Sequence, residues 1–131
     1  MSAALHHAAV FDRIDGDANL QCFDMGEVPD PAPEKYVVLS SSAGDRIQSR
    51  FMGAHNQITT RHFLYGVGKT ARQALWVGDK IAALCNDYDF VIAGRVVRRP
   101  TDWITRPVQV DKDLYPLPFV VVIFDLTSEP A

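Results

Sequence analysis

The run from Leu117 to Thr127, LPFVVVIFDLT, is apolar on both faces of an extended strand. Phe119, Val121 and Ile123 alternate to one side, and Val120, Val122, Phe124 and Leu126 to the other. Such a strand belongs in the middle of a sheet and needs cover above and below. A length of 131 residues, 47% of them apolar, gives one domain over residues 1–131 with enough material for a real core. Two helices can cover one face of a small sheet. Part of the other face is then left to something outside the monomer.

The cover is most legible between Asn56 and Asp87, NQITTRHFLYGVGKTARQALWVGDKIAALCND. Ile58 to Tyr65 reads as a strand, Gly66 and Gly68 as a turn, and the rest as a helix. Thr70 stands where an N-cap belongs, and Gln73 three residues later completes a capping box. Ala71, Ala74, Leu75, Gly78, Ile81, Ala82 and Cys85 recur at helical spacing as the apolar face. Trp76 falls on the opposite side with Arg72, Gln73, Asp79 and Lys80. A tryptophan there is expected to be buried between subunits or under an arm such as residues 101–116. A first helix runs from Ser2 to about Asp15, with Ala3, His7, Val10, Phe11 and Ile14 as its stripe and Gly16 as its stop. The adjacent His6 and His7 point to different sides of it and cannot form a ligand pair.

Residues 17–34 contain Pro29, Pro31 and Pro33 and read as an extended surface loop. Glu34–Ser42 is a β-branched strand. The polar stretch 43–55 that follows is long for a hairpin loop, and such loops are functional or disordered until bound. Its Arg46 and Arg50 are expected to face a bore or a neighbour's acidic surface. His62 reads as a satisfied, half-buried histidine rather than a ligand. Phe90–Arg99 is a third strand with a basic end, Arg95, Arg98 and Arg99, closed by Pro100. Trp103–Val110 alternates weakly, and Pro107 makes it an edge strand or an arm. The expected fold class is α+β, a mostly antiparallel four-stranded sheet with two helices packed on one face.

Net charge is −3 but unevenly spread. Residues 1–34 hold seven acids and one base, residues 35–106 eleven bases and five acids, and residues 107–131 one base and four acids. Different faces are therefore expected to meet different partners, one subunit's acidic loop meeting the next subunit's Arg95, Arg98 or Arg99. Cys22 and Cys85 fit no metal spacing and read as reduced thiols, which points to a cytoplasmic origin. The start MSAALHHAAVFDRI lacks the basic n-region and long apolar centre of a signal peptide, and no apolar run approaches a membrane span.

Gly68-Lys69-Thr70 after a strand resembles the end of a phosphate loop, and Val120–Asp125 a strand ending in a magnesium-holding acid. The loop needs a glycine five residues before Gly68, and Phe63 stands there. Ser40, Ser41 and Ser42 sit in no nucleophile elbow, and His55 and His62 have no spaced acid that marks a triad. No enzyme, no cofactor and no metal site is expected.

The order of elements carries a resemblance. A short N-terminal helix and a proline-rich loop precede EKYVVLS; a long hairpin loop and a strand follow, leading into GVGKTARQALWVGDKIAALCND; the last strand is LPFVVVIFDLT. Over nearly its whole length the chain resembles the tail terminator (tail completion) proteins of long-tailed bacteriophages. Lys35 stands before Tyr36 where that family often has proline. The resemblance implies a virion protein made in the bacterial cytoplasm and placed at the head–tail junction. It implies a ring, commonly hexameric, that sits on the tail tube protein and stops its growth. The ring offers a dock to the head-side connector or stopper, and genomic DNA passes through its bore without tight binding. Subunit contacts are expected at Trp76, Arg95, Arg98, Arg99 and Trp103. The other reading is a small nucleic-acid-binding α/β module using Arg95, Arg98, Arg99 and Arg106.

Overall fold

The computed structural model describes residues 2–47, 57–111 and 115–131. In chain order the elements are α1 (Ser2–Asp15), β1 (Cys22–Asp24), β2 (Tyr36–Ser41), β3 (Asp45–Ile47), β4 (Gln57–Val67), α2 (Ala71–Cys85), β5 (Arg95–Val97), β6 (Thr101–Asp111) and β7 (Tyr115–Pro130). The doubly apolar strand, β7, is central. It pairs antiparallel with β4 along one edge, from Ile58↔Ser128 to Val67↔Phe119. Along its other edge it pairs with β5 and then β6.

The expected four-stranded, mostly antiparallel sheet is overturned. The sheet is mixed and has seven strands, in the order β1-β2-β4-β7-β5, with β3 added beside β4 and β6 beside β7. The class remains α+β. Beside the four expected strands stand β1, β3 and β6, the last formed by the stretch read as an edge strand or an arm. β1 lies in the stretch read as loop and runs parallel to β2, Cys22 opposite Val37. β3 lies in the stretch 43–55 and pairs Arg46 with Ile58. The strand expected over Phe90–Arg99 is confined to Arg95–Val97, because Phe90 and Ile92 turn inward as buried anchors before it.

Both helices lie on one face. Val10 and Ile14 of α1 and Val77, Ile81 and Cys85 of α2 form one cluster with Val37, Leu39, Leu64, Val122, Phe124 and Leu126. The buried stripe of α2 is Ala74, Val77, Ile81 and Cys85, so the helix is rotated from the expected face and Leu75 is left 51% exposed. Gly66 sets that rotation. A Cβ there would lie 2.9 Å from Val77 Cγ1, so only glycine lets Val77 seat against β4. The N-cap holds, with the Gln73 N–H donating to Thr70 Oγ1 at 3.2 Å. The reciprocal bond is displaced by one residue: the Lys69 N–H donates to Gln73 Oε1 at 2.8 Å.

The opposite face carries a smaller cluster of Tyr36, Val38 and Val67 with Phe23, Val28, Tyr65, Leu117 and Phe119. Val28 comes from the proline-rich stretch, so the monomer covers part of this face itself. Farther along, Phe63 and Ile123 sit opposite each other, and Ile104 of β6 pairs with Ile123 and is 39% exposed.

Candidate functional site

Trp76 stands on the outer side of α2, 36% exposed. Lys35 Nζ lies 4.3 Å from its ring centroid and Lys80 Nζ 5.8 Å. Lysine over an indole at an exposed site is worth about 0.5–1 kcal/mol. The lysines therefore supply part of the cover that the ring needs. Lys35, standing where the resembled family often has proline, is the nearer of the two. β6 gives Trp76 no roof, for this strand belongs to the sheet. It meets α2 elsewhere: Leu75, Gly78 and Ala82 face Thr105 and Arg106 across a groove of about 200 Å³.

Trp103 is turned inward. Its ring stacks on Phe124 with centroids 5.3 Å apart and an interplanar angle of 7°, against the main core cluster. The arginines at the basic end part company. Arg95 donates from Nε to Ser128 Oγ at 2.7 Å and from Nη2 to the Ser128 carbonyl at 3.1 Å. Arg99 holds Asp89 with two bonds, 2.7 and 3.2 Å, and both side chains stay in solvent. The Arg98 N–H donates to the Thr127 carbonyl at 2.9 Å, and the residue is exposed, as is Arg106. Arg46 is placed as a backbone position in β3, and Arg50 lies outside the described residues, as does most of the stretch 43–55.

The sequence reading missed a line of polar side chains between α1 and the sheet. His7 Nε2 donates to Asp24 Oδ1 at 2.6 Å, and His7 Nδ1 meets Ser41 Oγ at 2.7 Å. Ser41 Oγ meets His62 Nδ1 at 2.7 Å, and His62 Nε2 meets Thr60 Oγ1 at 2.7 Å. Thr60 Oγ1 meets His6 Nδ1 at 2.8 Å, and His6 Nε2 meets Ser128 Oγ at 2.5 Å. Although adjacent in sequence, His6 and His7 both take part, because bonds to β4, β7, β1 and β2 reach them on either side of α1. Burial lowers His62 to a pKa of about 3, helped by the nearby His6 and His7. Burial and the Arg95 charge lower His6 to about 4. His62 is thus satisfied, as expected, but fully buried rather than half-buried.

Asp24, His7 and Ser41 stand in the order of a charge-relay triad. Ser41 Oγ, however, is held between two imidazoles, and the next N–H along the chain, that of Ser42, serves the Arg61 carbonyl at 2.9 Å. An acyl-transfer site needs donors free to stabilise an oxyanion. On the opposite face, Arg61 grips Asp125 with bonds of 2.8 and 3.1 Å, and that guanidinium holds the carboxyl below the usual carboxylate range. Among the described residues no group of three or more His, Cys, Asp or Glu side chains is placed to hold a metal ion, and no helix is long and apolar enough to cross a membrane. Burial raises both thiols, Cys22 and Cys85, to about 12.

No family model and no curated protein matches the chain. A solved structure does. The virion of a native gene transfer agent (GTA) particle contains a chain that superposes with a TM-score of 0.67 at 15% identity, covering 94% of this chain and 93% of that one. The two chains share a fold. At this identity the likeness speaks for the fold, and it spans both molecules nearly end to end.

Proposed function

We propose that this chain is a structural virion protein, a tail terminator. In this reading subunits close into a ring, commonly of six, that caps the tail tube, stops its polymerisation and joins it to the head-side connector or stopper. The observation that carries the reading is the near end-to-end likeness to a chain of a GTA virion. The order of elements that resembles phage tail terminators adds to it. So does the exposed apolar surface of Leu75 and Trp76 on α2 and Ile104 on β6, which head-to-tail packing would bury. The site is read as an assembly surface without catalytic or cofactor chemistry. The protein is then made in the bacterial cytoplasm and works at the head–tail junction, with DNA passing through the bore without tight binding.

Negative-stain imaging of the purified protein, alone and with tail-tube protein, tests the proposal. Closed rings that cap tube ends are expected. A protein that stays monomeric at high concentration and leaves tube growth unchanged contradicts it. The alternative, a nucleic-acid-binding module, would use Arg95, Arg98, Arg99 and Arg106. Two of these are engaged within the chain, Arg95 with Ser128 and Arg99 with Asp89. Tight, salt-dependent binding of duplex DNA would restore it.

A further inference from the structure

The line from Arg95 to Asp24 can be ordered from end to end with every bond made. Its two ends are chemically one-way: a guanidinium only donates, and a carboxylate only accepts. Arg95 Nε–H donates to Ser128 Oγ, which leaves the Ser128 hydroxyl proton for His6 Nε2. His6 then donates from Nδ1 to Thr60 Oγ1, whose proton goes to His62 Nε2. His62 donates from Nδ1 to Ser41 Oγ, whose proton goes to His7 Nδ1. His7 finally donates from Nε2 to Asp24. Each hydroxyl accepts one bond and donates one, and each imidazole does the same. In this order, and equally in the reverse order from His7 to Ser128, His6 and His62 each donate one bond and accept one, so both rings are neutral. The two rings also share a tautomer: Nδ1–H on both in the order given, Nε2–H on both in the reverse.

The line also has a place in the packing. In the first half of α1, residues 3–9, His6 is the buried side chain, while Leu5 is exposed. The second half is anchored differently, by Val10 and Ile14 in the apolar core. The first two turns of the helix are therefore tied to the sheet chiefly by polar bonds. An added proton on either buried ring turns an acceptor nitrogen into a donor. It would then face a hydroxyl that already accepts one bond and has nowhere in the line to send its own proton.

We propose that the first two turns of α1 are an acid-released clasp, held to β4 and β7 by a continuous hydrogen-bond line that protonation of His6 or His62 breaks. The charged groups facing the line oppose one another. Arg95 of β5 disfavours a second cation at His6. Asp125 of β7, itself paired with Arg61 of β4, favours one at His62 but is the smallest influence there. Asp24 of β1 is engaged by His7. β2 contributes the Ser41 hydroxyl, and α2 brings Ile81 and the Cys85 thiol to the shared core.

Two measurements on the full chain test the clasp. Nitrogen-15 spectra of the imidazoles at pH 7 should report neutral rings at His6 and His62 with the same tautomer on both. Opposite tautomers, or a doubly protonated ring at either position, overturn the line. Amide exchange, corrected for its intrinsic pH dependence, should be followed from pH 7 to pH 4.5. Residues 3–9 should lose at least tenfold more protection than residues 74–85 of α2. Equal loss in both helices overturns the local release. Thr60→Val, nearly the same shape, should expose residues 3–9 already at pH 7 while α2 keeps its protection. If that variant keeps residues 3–9 protected, the line does not hold the clasp. Should it fail to fold, the tautomers and exchange of the native chain still decide.

Discussion

Gly68 carries no side chain because none would fit. A Cβ on it would lie 2.6 Å from Gln73 Cβ and 2.7 Å from the Ala74 nitrogen, both fixed by the first turn of α2. Gly68→Ala should therefore cost about 1–3 kcal/mol, the usual range for forcing atoms into packed space, and urea unfolding will read it as a lower midpoint. The same glycine sits in the segment that imitates a phosphate loop. Its role is steric, letting β4 turn tightly into the N-cap. At this scale the sequence showed which residues matter more reliably than which way they point. Thr70 caps as its position suggests. Leu75 and Val77 exchange roles, since periodicity alone cannot see that Gly66 opens a space for one of them. The two tryptophans divide in the same way: Trp103 stacks on Phe124 against the core, while the rotation of α2 leaves Trp76 outside.

Among the elements, α1 and β4 carry the two buried histidines, His6 and His62. His6 and His62 are lowered in the fold relative to the ordinary value of 6.5. Below that value the unfolded chain binds protons that the native chain refuses, so stability must fall as pH falls. The contribution is fully present above about pH 6.5 and drains away toward pH 4 for His6 and pH 3 for His62. Each imidazole should remove about 1.4 kcal/mol per pH unit across its window. Asp125, also lowered, adds a loss only below the ordinary carboxylate range. Thermal or urea unfolding at pH 7, 6, 5 and 4 should show a steepening decline, and a flat profile down to pH 5 would contradict it. The long elements were legible because their patterns repeat. β1, β3 and β5 span three residues each, too short for alternation to show, and they exist because a longer neighbour offers them an edge. The histidine line was invisible for another reason: its members are spread from residue 6 to residue 128.

At the scale of the whole molecule, the segregated charges of the sequence are partly reconciled inside the monomer. Asp17 of the acidic segment meets Lys80 of the basic one at 3.2 Å, and Glu34 accepts a bond from Gln73. Exposed pairs contribute about 0–1 kcal/mol each, so any that form between subunits would set register rather than hold a ring. If subunits close into the proposed ring, high salt should slow its formation yet leave formed rings intact, which light scattering across a salt series can follow. Trp76→Ala should weaken assembly by about 2 kcal/mol if the ring is an interface anchor, and unchanged sedimentation would remove it from that role. What no sequence pattern disclosed was how much of the second face the monomer covers for itself, because that depends on Val28 packing against the cluster of Tyr36, Val38 and Val67.

The position of β7 in the sheet has one more consequence. It follows every strand it pairs with, and its partners reach back as far as Ile58, opposite Ser128. As the chain leaves the ribosome, β4 has partners along one edge only, and β5 and β6 wait for theirs until β7 arrives. Contacts of such long range also make for slow folding. Early parts of the chain must wait as open, sticky edges, the state in which nascent proteins draw chaperones or aggregate. A stop codon at residue 117 would therefore yield no smaller working domain, only a chain with β5 and β6 lacking their strand partner and β4 open along one edge.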